Sequence, residues 1–147
     1  MKNVKESMQK ELDELNKATD VLTYSYTKCA KIGVSADLSE EELESFEALT
    51  GRFARLSDII IQKVFRYFDV LDLENSGTVR DRINRAEKKG IIESAEDFIH
   101  IRLLRNEIAH EYKSDTIYSI FESVLELTPP LLNSVEKIIS YSERYLK

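Results

Sequence analysis

Glycine and proline are scarce, with four and two among 147 residues. Sheet proteins rich in turns need far more of both, whereas long helices need few breakers, so the scarcity points toward helices. Cysteine is scarcer still. The lone Cys29 excludes an internal disulfide, and without a CxxC pair or Cys/His cluster no structural metal is expected. A reducing, cytoplasmic compartment follows as the expectation. No apolar run approaches the roughly 18 residues that a spanning helix requires, so no membrane association is expected. The opening stretch, Met1 to Lys17, alternates Lys with Glu and Asp. It has the pattern of neither a secretory signal nor an Arg-rich presequence.

What is present suits a soluble folded protein: 42% hydrophobic and 33% charged residues. A chain of this length buries roughly two thirds of its unfolded surface, enough for one domain over residues 1–147. The net charge of -6 counts against tight, non-specific nucleic-acid binding, because such affinity comes from neutralised phosphates. The average hides a contrast, since Arg80 to Lys113 holds eight Lys/Arg against seven Asp/Glu. Any anionic ligand is best sought there.

Periodicity then lays out the elements. Val4, Met8, Leu12, Leu15, Val21 or Leu22, Cys29 and Ile32 recur at helical spacing, Gly33 ends that segment, and Val34 to Leu38 reads as a linker. Ser39 with Glu42 has the form of a capping box. From there Leu43, Phe46, Leu49, Phe53, Leu56, Ile60, Val64 and Phe68 form a stripe down one helix of about thirty residues. Asn75-Ser76-Gly77 marks a connection, Thr78 caps a short helix carrying Val79, Ile83 and Ala86, and Lys88-Lys89-Gly90 closes it. Ser94 and Asp97 resemble another cap, opening a helix from Ala95 to about Glu111. Ser114 or Asp115 is the expected cap of a last helical region. Pro129-Pro130 should kink it or split it in two, with Thr128 as the second cap. The expected fold is all-α: an antiparallel up-and-down bundle of four to five main helices plus a short one.

The informative octad runs from Arg105 through Asn106, Glu107, Ile108, Ala109, His110 and Glu111 to Tyr112. Asn106 and His110 are four apart and share a helical face, which Arg102 extends. Arg105, Ala109 and Tyr112 form an adjacent face. A guanidinium and an imidazole close together can hold a phosphate and shuttle a proton.

In these residues the chain resembles the HEPN superfamily, and within it the HepT-like toxins that accompany minimal nucleotidyltransferases. The shared pattern is Arg105, Asn106, three intervening residues, His110, one residue, and Tyr112. The resemblance implies a metal-independent, cofactor-free ribonuclease acting as a homodimer, with both motif helices lining one cleft. His110 would serve as general acid or base for attack by the RNA 2'-hydroxyl, and Arg105 would bind the scissile phosphate. Asn106 and Arg102 would orient the reacting groups. The resemblance further implies that a cognate nucleotidyltransferase antitoxin silences the toxin by adenylylating Tyr112. Arg80, Arg82 and Arg85 are weaker candidates for RNA contact.

Ordinary explanations stand beside these. His110 could cap exposed carbonyls, and Arg105 could pair with Glu107, Glu111 or a carboxylate on a neighbouring helix. The Arg80 group, diluted by Asp81 and Glu87, equally fits a solvated face. Tyr112 could rest its ring on the bundle. Cys29 reads as a small buried hydrophobe, and His100 as a boundary residue. The alternative function is a non-catalytic subunit that binds a nucleotide or docks a nucleotidyltransferase.

Overall fold

Helix ends fall where side chains take over orphan backbone groups. The computed structural model describes residues 2–75, 77–110 and 117–146, among which every regular element is helical. In order these are α1 (Lys2–Ile32), α2 (Glu40–Asp58), a π-helical segment (Ile59–Val64), α3 (Phe65–Leu71), α4 (Val79–Lys88), α5 (Ala95–His110), α6 (Ile117–Asn133) and α7 (Val135–Leu146). Gly33 closes α1 at φ 73°, its N–H donating to the Cys29 carbonyl at 2.9 Å. Reciprocal capping boxes join Ser39 to Glu42 and Thr78 to Asp81. The Asp81 carboxyl is held below its usual range, first by the backbone N–H of Thr78 and then by its hydroxyl. Ser94 Oγ accepts the Asp97 N–H at 3.1 Å, and Glu87 Oε2 accepts the Ala95 N–H at 2.8 Å.

The expected long second helix runs on from α2 to α3 without a break, but its register shifts midway. The Phe65 N–H donates to the carbonyl of Ile60, five residues back. Ile59, Ile60 and Ile61, which enter this wide turn, are all buried.

Of the two outcomes open for the prolines, the split at Thr128 does not occur. Pro129 and Pro130 both lie inside α6, and the break comes later, at Ser134, between α6 and α7. Thr128 is not a cap. Its buried hydroxyl donates back to the Val124 carbonyl at 2.6 Å, a bond characteristic of a helix interior. Ser134 Oγ donates to the Leu131 carbonyl at 2.7 Å and the Ser134 N–H to the same oxygen at 3.3 Å, closing α6.

Long-range pairs fix the directions. Glu11 meets Lys63 and Glu14 meets Arg55, so α1 runs antiparallel to the α2–α3 rod. Phe98 packs on Phe65 while Arg105 reaches Asp58, so α5 is also antiparallel to it. Phe121 stacks on Phe46 with centroids 5.0 Å apart, and Tyr141 meets Phe68 at 4.9 Å. The α6–α7 pair therefore runs with the rod. Successive long elements alternate in direction, as short connections dictate. One continuous apolar core, from Met8 and Leu22 through Phe53, Ile60 and Phe98 to Ile138, draws on every helix. Cys29 is fully buried in it, and desolvation pushes its thiol pKa up.

Candidate functional site

Residues Arg102 to His110 occupy the last turns of α5. Phe98, Ile101 and Leu104 are buried and Ile108 is half-buried, which anchors the apolar side of the helix. Arg102 and Asn106 are half-buried and His110 is exposed. Among the described residues, the side chains of these three make no hydrogen bond or ion pair. Their donors remain available at one end of the molecule.

Arg105 is different. Its Nε donates to Asp58 Oδ1 at 2.8 Å and its Nη2 to Asp58 Oδ2 at 2.9 Å, a two-point pair across 47 positions of sequence. Those bonds raise the guanidinium pKa further above its ordinary value. The Arg105 and Asp58 side chains stay 27% and 36% exposed, so the pair is reachable from an open groove. Lys10, Glu14, Gly51, Ala54 and Lys63 line the same groove. A carboxylate on a neighbouring helix was one of the ordinary partners open to Arg105, and Asp58 is that partner.

Within one chain the two central residues do not converge. At 100° per residue, positions five apart on a helix point about 140° away from each other. Arg105 turns toward α2 and the groove, whereas the Arg102, Asn106 and His110 row turns elsewhere. On the outer side of α5, Leu103 is 55% exposed. It lies in a shallow depression with His100, Glu107, Glu126 and Leu127. Tyr112 lies outside the described residues, as do Glu111, Ser114 and Asp115.

The second arginine group is internally engaged. Arg85 donates to both oxygens of Asp69 at 3.1 and 2.8 Å, and Arg82 Nε reaches Asp69 Oδ2 at 3.4 Å. Arg82 Nη1 also donates to the Ile61 carbonyl in the π segment at 3.4 Å. Hydrogen bonds to Asp69 raise the Arg85 pKa. Arg80 remains exposed on α4. Only this member of the trio presents its cation openly to solvent.

Beside that pair, Asp72 accepts hydrogen bonds from Lys89 at 2.7 Å, from the Tyr141 hydroxyl at 2.6 Å and from the Tyr145 hydroxyl. Desolvation, followed by the bond to Asp72, pushes the Tyr141 pKa up to about 12. Sequence reading missed Asp58, Asp69 and Asp72. Asp58 and Asp69 carried a signal, since each interrupts an apolar run, and a carboxylate flanked by buried residues needs a cationic partner.

No group of three or more His, Cys, Asp or Glu suited to a metal ion occurs among the described residues. Nor, among them, is any helix long and apolar enough to cross a membrane. Compared with models of protein families the chain matches none, and it matches none of the curated proteins.

Proposed function

We propose that this chain is a metal-independent endoribonuclease toxin that works as a homodimer. In this reading, RNA supplies its own nucleophile, the 2'-hydroxyl, and the protein positions it, moves a proton and stabilises charge on the phosphorane. His110 moves the proton, Arg105 binds the phosphate, and Asn106 and Arg102 orient the reacting groups. A cognate minimal nucleotidyltransferase acts as the antitoxin and silences the site by adenylylating Tyr112. The observation that carries the reading is the division of α5: a fixed guanidinium on one face, and an exposed imidazole with available donors on another.

The divergence of Arg105 and His110 favours two copies over one. If the motif helices pair about a two-fold axis, Arg105 of one protomer and His110 of its partner face a common cleft. Exposed Leu103 offers that pairing an apolar contact near the motif. The cleft would combine local positive charge from both copies, which an acidic chain needs in order to hold RNA.

Incubation of the protein with RNA in excess chelator tests the proposal. Cleavage by the wild type, lost in Arg105→Ala and His110→Ala, is the expected result. Cleavage unchanged in His110→Ala contradicts the assigned role. Coexpression with a cognate nucleotidyltransferase should add the mass of an adenylyl group, and Tyr112→Phe should abolish the addition.

One observation favours a second reading, a non-catalytic subunit that binds a nucleotide or docks a nucleotidyltransferase. Arg105 already has a carboxylate partner, so a structural role needs no substrate. Stable nucleotide binding without turnover would support that reading.

A further inference from the structure

Among the described residues, Asp58 is the carboxylate that pairs with the motif itself. Along the same groove the other pairs are sorted: Glu14 with Arg55 at 2.9 Å and Glu11 with Lys63 at 3.4 Å, both between α1 and the rod. Asp58 bridges the rod to α5. It stands at the last residue of α2, directly before the π segment. Ser57 and Ile59 on either side are buried at 1% and 6% exposure, so the backbone carrying the carboxylate is anchored by core packing.

The bonding pattern fixes more than distance. A guanidinium is planar with five N–H groups in a fixed fork. Asp58 occupies the edge formed by Nε and Nη2, which sets the plane of the group and stops rotation about its last bonds. Both N–H groups of Nη1 and one of Nη2 remain, directed away from Asp58.

We propose that Asp58 is a positioning residue for RNA cleavage: it holds the Arg105 guanidinium by one edge, so that the Nη1 edge meets the scissile phosphate in a defined orientation. This inference rests on the ribonuclease reading above. Asp58 touches neither substrate nor reacting atoms. Its effect passes through Arg105, whose misplacement by about 1 Å can cost about 10²-fold in rate.

The test compares wild type, Asp58→Asn, Asp58→Glu and Arg105→Ala in single-turnover RNA cleavage, with kcat and KM measured under turnover. Asp58→Asn keeps the size and one acceptor but loses the charge and the second acceptor. The expected result is a fall in kcat of about 10²-fold with KM little changed, partial recovery in Asp58→Glu, and a thermal midpoint close to wild type. In ¹⁵N NMR spectra the Arg105 Nε–H resonance should be sharp and slow to exchange in the wild type and lost or broadened in Asp58→Asn. A cleaving wild type whose Asp58→Asn variant keeps full kcat, or an Arg105 Nε–H equally protected in that variant, overturns the positioning role alone. A wild type that cleaves no RNA overturns the ribonuclease reading and this role with it.

Discussion

Two groups of basic side chains sit on this molecule, and they use their charge in opposite ways. Around α4, Arg82 and Arg85 close on Asp69, and Lys89 closes on Asp72 together with two tyrosine hydroxyls from α7. At the end of α5, Arg102, Asn106 and His110 have no such partners among the described residues, and Arg105 holds Asp58 by one edge of its guanidinium. The richer cluster of cations is therefore the poorer candidate for anion binding. Charge already neutralised by a nearly buried carboxylate gives little to a ligand, whereas donors at an exposed helix end are free to act.

The comparison breaks most readily at α5. His110→Ala should lower RNA cleavage by about 10²- to 10⁴-fold, the range for loss of a general acid or base, while the thermal midpoint stays within a few degrees. Equal activity in that variant and the wild type would leave α5 without its special standing. At the other cluster the expected loss is in stability. Asp69→Ala removes the carboxylate that two shielded guanidinium groups share and should cost about 3 kcal/mol in urea unfolding. Arg80→Ala, on the same helix but exposed, should stay within about 0.5 kcal/mol.

A pH titration sharpens the contrast further. Because the Tyr141 pKa is raised to about 12 in the folded chain, the folded state keeps a proton that the unfolded chain loses near pH 10. Its contribution is fully present below pH 10 and declines as pH rises toward 12, by an amount on the order of 2 kcal/mol. Tyr141→Phe should be less stable below pH 10 and should lose less over that interval; parallel curves would contradict the assignment. The smallest effect concerns the groove beside Arg105. A Cβ at Gly51 would meet no atom within 4 Å, so Gly51→Ala should stabilise α2 by about 0.5–1 kcal/mol with cleavage retained.

Local signals were legible in the sequence because their physics is local. The capping pair at Ser39, the cap at Thr78, the stop at Gly33, the stripe from Phe46 to Phe68 and the shared face of Asn106 and His110 all depend on residues close in sequence. Three features were not legible. The π segment hides because Ile59, Ile60 and Ile61 continue an apolar stripe whether or not the register shifts. The split at Thr128, one of two outcomes open for the prolines, does not occur: Thr128 satisfies its hydroxyl on Val124, α6 carries the prolines within its length, and the break comes at Ser134. Asp58 with Arg105, and Asp72 with Tyr141, join residues whose proximity only the tertiary fold decides. Sequence placed the motif on α5 but did not reveal that Arg105 is held from the far side by α2.

The central claim is that Arg105 and His110 act from two different copies of the chain. Arg105→Ala and His110→Ala proteins, each inactive alone, can be unfolded together and refolded as a mixture. Dimers containing one of each retain an intact guanidinium and an intact imidazole on opposite partners, so the mixture should regain a readily measured fraction of RNA cleavage. A mixture that forms such dimers yet stays as inactive as either variant alone would contradict the account.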